Sequence, residues 1–190
     1  MKQFVLILSL AIITSSCITI EFVNDNYYTY LSTKQQSKIK KLVDFDSTKA
    51  GNIYEITGPQ LLTELDQNKK SLVYVFKSGC KSDACYPLSQ IRDYADENNL
   101  KLYLVMTSYH SLDNSLNQKV GVPLYSINAE AYGETKSRKY LKQFEKEIGC
   151  DQYLELMNEK WMGSYYFFEK DQITEMKKYL FGEEFGSEEL

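Results

Sequence analysis

The sequence predicts a protein of the α/β class, built on one mostly parallel sheet. Two apolar stretches carry this prediction, "SLVYVF" (71–76) and "KLYLVMTS" (101–108). Both are apolar over most of their length and contain β-branched and aromatic residues, which is typical of strands buried on both faces of a parallel sheet. Helical patterns separate the predicted strands, and the order β, α, β, α, β with short connections indicates right-handed βαβ units.

Three elements are predicted before the first buried strand. Ser32 is followed three residues later by Gln35, the spacing of a capping box, which indicates a short helix from Thr33 to about Val43. "IYEI" (53–56) is a short strand. Gly58 and Pro59 then begin a helix whose leucines Leu61, Leu62 and Leu65 share one face.

Five patterns follow the first buried strand. In chain order they are a helix with Pro87 near its first turn, a strand or extended loop at Val122 to Asn128, a helix from about Glu134 to Ile148 ended by Gly149, a helix near Gln152 to Lys160, and a hairpin in "GSYYFFEKDQITEM". Trp161 and the aromatic run Tyr165 to Phe168 are expected in the core.

The N-terminus has the pattern of an export signal. A short positive start precedes "FVLILSLAII" (4–13), an apolar run too short to span a bilayer core of about 30 Å. Small residues then lead to Cys17, where bacterial lipoproteins carry the cysteine that is lipidated, although Thr14 stands where their motif usually has Leu. The alternative is ordinary secretory cleavage that leaves Cys17 a free thiol. Both alternatives predict that the mature domain leaves the cytoplasm, and lipidation at Cys17 predicts a membrane-anchored location in the cell envelope, facing the periplasm or the cell exterior.

Length and charge limit the function classes. The 190-residue chain is enough for one domain with a full core, and we expect a monomer. A net charge of −4 argues against binding of nucleic acid. The predicted organisation is a signal peptide (1–16), a lipid-anchor tether with a short helix (17–52), a domain (53–181) with an insertion at about 129–162, and an acidic tail (182–190).

The cysteines Cys80 and Cys85 follow the first buried strand. In an unbroken helix, residues five apart have Cα atoms roughly 8.7 Å apart, and a disulfide needs less than about 7 Å. Cys80 must therefore lie in the loop before the helix, or the first turn must unwind when the bond forms. Ser82 or Ser78 as the helix N-cap favours the loop. Lys81 would favour a thiolate at Cys80, and Asp83 would oppose it.

A buried strand, a cysteine at the mouth of a helix, a second strand, a helical segment and a terminal hairpin together resemble the thioredoxin fold, over about 53–181. The resemblance is closest to the exported, lipid-anchored thioredoxin-like (redoxin) proteins of Bacteroidetes. It implies a three-layer α/β/α sandwich with a helical insertion before the hairpin. It also implies thiol–disulfide exchange with partner proteins, in which Cys80 attacks and Cys85 resolves the mixed disulfide.

The sequence departs from that family in three places. The cysteine spacing is C-x-x-x-x-C instead of C-x-x-C, and Gly79 and Ser82 stand where thioredoxins have Trp and Pro. The third departure concerns the cis-proline that faces the redox pair. Pro123 suits that role if Val122 to Asn128 is the strand that follows it. We prefer a register in which Met162 and Gly163 precede the hairpin and the cis-proline is absent.

Other functions remain open from the sequence. The bridge could be structural in a binding domain, or "GCKSDAC" could resemble the "GCTxxAC" stretch of a peroxiredoxin branch, with Arg138 as the partner arginine. His110 could join the cysteines in a copper site. Cys150 could be a buried small residue or a further partner in thiol exchange. With no phosphate-binding or catalytic motif of another class, no cofactor and no metal are expected.

Overall fold

The structure, a computed structural model, describes residues 25–80, 85–158 and 163–181. The predicted signal peptide, Cys17, Trp161 and the acidic tail lie outside these residues. So do Lys81, Ser82 and Asp83, between the two cysteines. No helix within the described ranges has both the length and the apolar character needed to cross a membrane.

One mixed sheet contains the seven described strands, in the order β1-β2-β5-β4-β3-β6-β7. The first five strands of this order are parallel, while β6 pairs antiparallel with β3 and β7 antiparallel with β6. Their bounds are β1 Ile39–Lys41, β2 Ile53–Ile56, β3 Lys70–Phe76, β4 Lys101–Met106, β5 Leu124–Ile127, β6 Tyr165–Glu169 and β7 Gln172–Lys177.

Helices connect the strands. A 3-10 turn, Tyr28–Tyr30, precedes the α-helices of the described residues, which are α1 Thr33–Gln36, α2 Gly58–Asp66, α3 Leu88–Glu97, α4 Leu112–Leu116, α5 Ser137–Glu147 and α6 Cys150–Met157. The predicted strands at 53–56, 71–76 and 101–108, the helix at Gly58 and the terminal hairpin are confirmed.

Alternating side chains of the sheet form two cores, which give an α/β sandwich with helices on both faces. On one face Val73 and Val75 of β3 lie in a cluster with residues of α2 and α5. On the other face Leu72, Tyr74 and Phe76 of β3 lie in a cluster with residues of α3 and α4. The two faces are apolar at every position of β3 from Leu72 onward, so the prediction of a doubly buried strand is confirmed.

The N-terminal part departs from the prediction. The capping box of Ser32 and Gln35 is present, but α1 ends at Gln36 rather than near Val43. Ile39 to Lys41 instead form the edge strand β1, because the chain there pairs in parallel with β2. The segment predicted as a tether therefore contributes to the sheet within its described part. It also contacts the domain ahead of α1, where the Tyr109 amide donates to the Asn26 carbonyl at 2.8 Å.

The helical region also differs in its bounds. The predicted helix from about Glu134 begins at Ser137 and ends at Glu147, and the next one begins at Cys150 rather than near Gln152. Gly149 between them has φ +93, so the expected left-handed residue after a helix end is confirmed.

A buried carboxyl connects α5 to β6. Glu145 is 8% exposed, and its Oε1 accepts a hydrogen bond of 2.8 Å from the Tyr166 hydroxyl. Burial raises the pKa of Glu145, and the charge of Asp151 adds to the increase, although the bond from Tyr166 opposes it. Deprotonation of Glu145 therefore costs more free energy in the folded protein than in the unfolded chain.

We expect Glu145→Gln to make stability less dependent on pH. The unfolded chain loses the Glu145 proton near the ordinary pKa of 4.5, whereas the folded chain holds it to higher pH. Folding of the wild type is therefore penalised progressively as the pH rises through that window. The amide retains an acceptor for Tyr166 and carries no charge. The free energy of unfolding of the variant, minus that of the wild type, should increase from about pH 4 to about pH 8 in urea titrations. If this difference in unfolding free energy does not change with pH, or if the exposed control Glu155→Gln shows the same pH dependence, the raised pKa of Glu145 is contradicted.

Candidate redox site

Cys80 and Cys85 form a disulfide at the carboxyl end of β3. Their Cα atoms are 6.0 Å apart, within the range of ordinary disulfides. Cys80 lies in a turn, in which its amide donates to the Lys77 carbonyl at 3.2 Å, and α3 begins only at Leu88. The expectation that Cys80 lies in the loop before the helix is confirmed, so the wide spacing is compatible with a bond.

The disulfide lies at the surface. Cys80 is exposed and Cys85 is partly buried. An adjacent groove of about 400 Å³ has both cysteines in its wall. Its other lining residues are mostly aromatic or apolar, and include Tyr74, Phe76, Tyr86 and Leu88. A partner segment can therefore approach the Cys80 sulfur from solvent with apolar surface next to it.

The loop before Cys80 is attached to α4. Ser78 is 1% exposed, and its hydroxyl lies 2.9 Å from the Ser111 carbonyl and 2.7 Å from the Ser115 hydroxyl. Gly79 has φ +77, and a Cβ there would lie 2.7 Å from the Cβ of Ser111. Glycine is therefore required both by the backbone conformation and by the close approach of Ser111.

The start of α3 is capped by a side chain that is distant in sequence. Pro87 occupies the N-cap position and makes no side-chain cap. The Leu88 amide instead donates to Oε1 of Gln118 at 2.7 Å. Ser78, one of the two predicted N-caps, is bound to α4, so this expectation was wrong; the other, Ser82, is outside the described residues. The segment around Pro87 passes over α4 closely enough for Gln118 to take the capping role.

The position of the helix bears on the chemistry of the cysteines. In the family the attacking cysteine is at the helix N-terminus, where free amides and the macrodipole lower its pKa. Here Cys85 lies three residues before Leu88 and Cys80 lies further out, while Gln118 already accepts from Leu88. The helix therefore gives less stabilisation to a thiolate than it does in C-x-x-C enzymes.

The strand that pairs antiparallel with β3 shows which segment, Val122 to Asn128 or the terminal hairpin, lies next to it. β6, which begins at Tyr165, is the antiparallel neighbour of β3, and the Val75 amide donates to the Ser164 carbonyl at 2.9 Å. Val122 to Asn128 contains the strand β5, but β5 lies between β2 and β4. Pro123 does not precede β6, the antiparallel neighbour of β3. The described residues contain no cis peptide bond. The prediction that Gly163 precedes the hairpin is thus confirmed, while Met162 lies outside the described residues.

Cys150 lies away from the disulfide. It is fully buried at the start of α6 and belongs to the core on the opposite face from α3. Burial raises the pKa of its thiol, with the charges of Glu145 and Asp151 adding to the increase. This placement favours the interpretation as a buried small residue over that of a further exchange partner.

The remaining candidate residues, His110 and Arg138, do not line the groove beside the disulfide. His110 is exposed, with its ring 4.8 Å from that of Tyr27 and Nδ1 3.3 Å from the Ser111 hydroxyl. Arg138 is exposed in the first turn of α5 and does not line the groove. Across the described ranges, no group of three His, Cys, Asp or Glu side chains could hold a metal ion.

Sequence reasoning missed Ser115, Gln118 and the whole of α4. Leu112 and Leu116, spaced four apart in "SLDNSL", were the available signal for that helix.

No protein family model, curated protein or solved structure matches this chain.

Proposed function

We propose that this chain is a membrane-tethered, thioredoxin-like protein that exchanges thiols and disulfides with extracytoplasmic partner proteins. The observation that carries the proposal is the exposed Cys80, bonded to Cys85 beside an open groove at the carboxyl end of β3. A bond at this position is accessible to a partner thiol from solvent.

The arrangement of strands and helices supports the thioredoxin-like part. A buried strand, β3, leads into the cysteines and then into α3, and β4 returns parallel to it. The β6–β7 hairpin covers the other side of β3. The strand β5 and the helices α5 and α6 are additional to that pattern. Fold alone does not assign activity, so the proposal depends on the disulfide.

The proposed reaction is a pair of exchange steps. The Cys80 thiolate attacks one sulfur of a partner's disulfide, forms a mixed disulfide and releases one partner thiolate. The Cys85 thiolate then attacks the Cys80 sulfur, so that the Cys80–Cys85 bond forms and the second partner thiolate leaves. Two electrons pass from this protein to the partner. The reverse sequence oxidises a partner dithiol.

Cys17 is the proposed attachment point. Lipidation there would place several acyl chains in the membrane, and each buried methylene contributes about 0.8 kcal/mol. The first residue that the structure describes, Asp25, follows Cys17 by eight positions. Replacement of Cys17 by Ser should move the protein from the membrane fraction to the soluble fraction; a variant that stays with the membranes would exclude the anchor.

Catalysed reduction of insulin tests the proposed exchange. With dithiothreitol as the electron source, the purified protein should accelerate insulin precipitation several-fold over dithiothreitol alone. No acceleration, in either direction of exchange, would leave a binding domain with a static bridge as the better account.

The static bridge is the second candidate, and one observation favours it. Neither cysteine lies within α3, so the usual means of lowering a thiol pKa is weakened. A bond closing such a short loop stabilises the fold by about 2 kcal/mol.

The peroxidase alternative gains no support, because Arg138 does not line the groove. Peroxide consumption with dithiothreitol tests it directly.

A further inference from the structure

Both ends of the Cys80–Cys85 loop are attached to one short segment, residues 111–118, which contains α4. At the first end, the Ser78 hydroxyl has a single proton and donates it to the Ser111 carbonyl at 2.9 Å. The Ser115 hydroxyl must therefore be the donor in its 2.7 Å contact with Ser78. Ser78 and Ser115 are both buried, at 1% and 2% exposure, so water does not compete for these bonds.

At the second end, Gln118 holds the first turn of α3. Its Oε1 accepts from the Leu88 amide at 2.7 Å. Its Nε2 lies 3.4 Å from the Asn114 carbonyl of α4, to which it donates, and this bond fixes which way the amide points. The cysteines thus lie between two anchor points, Ser78 and Leu88, which are both hydrogen-bonded to the segment 111–118.

We propose that residues 111–118 are a positioning unit that sets the reduction potential of the Cys80–Cys85 pair. Reduction breaks the S–S bond, takes up two electrons and two protons, and leaves two thiols. With both anchors in place, Cys80 stays next to the bonded Ser78 and Cys85 stays close to the bonded Leu88 after the bond is broken, so the two thiols remain near one another and their effective concentration is high. Re-formation of the bond is favoured, and the disulfide resists reduction more than it would in a free loop.

This inference rests on the proposed function for its role in exchange, but the potential is measurable whether or not the protein is active. The variants are Ser115→Ala, which weakens the first anchor by removing one of its two hydrogen bonds, and Gln118→Ala, which removes the second anchor. The full chain is equilibrated with reduced and oxidised dithiothreitol, and its thiols are counted by alkylation and mass spectrometry. The matched control is Asn117→Ala, an exposed amide at the end of the same helix.

Each anchor variant should raise the equilibrium constant for reduction about threefold, and the double variant about tenfold, which is about 30 mV less negative. The Asn117→Ala control should match the wild type. Thermal unfolding of the oxidised proteins verifies that every variant is folded. An unchanged constant in the folded double variant, or a shift toward easier oxidation, overturns the inference. Failure of the proposed function has a different signature, since an absent insulin activity leaves this comparison intact.

Discussion

Replacement of Cys80 by Ser should reduce catalysed insulin reduction to the uncatalysed rate. Cys80 is the exposed sulfur of the pair, and Cys85 is the more buried one, so the first attack on a partner disulfide depends on Cys80. Cys85→Ser should behave differently, because attack by Cys80 still occurs but the mixed disulfide is no longer resolved. Non-reducing electrophoresis should show a covalent Cys80–partner adduct that accumulates in Cys85→Ser and is absent in Cys80→Ser.

The matched control is Cys150→Ser, since Cys150 is fully buried and free. It should retain turnover, and thermal unfolding checks the effect of the buried substitution on stability. Full turnover by Cys80→Ser, or an adduct that forms equally in both variants, would contradict the order of attack.

Replacement of Gly163 by Ala should lower the free energy of unfolding by about 2–3 kcal/mol. Gly163 is buried just before β6, and an added Cβ would overlap the backbone carbonyl of Lys177 in the partner strand. The Ser164 amide donates to that same carbonyl at 3.0 Å. Because backbone cannot rotate away as a side chain can, the start of the β6–β7 pair must open. Urea unfolding measures the change.

Ser164→Ala is the control for that variant. Ser164 is the next residue, is exposed and contributes its backbone rather than its side chain to the pairing, so the change should stay within about 0.5 kcal/mol. Equal stability of Gly163→Ala and Ser164→Ala would show that the close approach to Lys177 is absent. Since Ser164 accepts from Val75 of β3, Gly163→Ala should also affect the strand that carries the cysteines.

The α/β class and the buried strands could be predicted because local composition determines them. "SLVYVF" and "KLYLVM" have no polar side that could face water, and the structure buries both of their faces. β1 was missed because "IKK" resembles the end of a lysine-rich helix, and only pairing with β2 makes it a strand. The position of β5 between β2 and β4 could not be predicted either, since strand order depends on contacts between residues far apart in sequence.

The cysteine loop could be predicted from a distance constraint, since an unbroken helix separates residues five apart by too much for a disulfide. The groups that anchor this loop to the segment 111–118 could not be predicted from the sequence. Gln118 follows Ser78 by 40 positions in the chain, and nothing in either local pattern indicates that the segment containing α4 connects them. Ser78 was expected to cap α3 because serine before a helix usually does so.

The reduction potential of the wild-type Cys80–Cys85 pair tests the central claim most directly. An exchange-active pair should equilibrate between about −120 and −270 mV, the range of known thiol–disulfide oxidoreductases, and the bond should be reduced by thioredoxin-like reductants. A potential below about −300 mV would identify a structural bridge and contradict the proposed function.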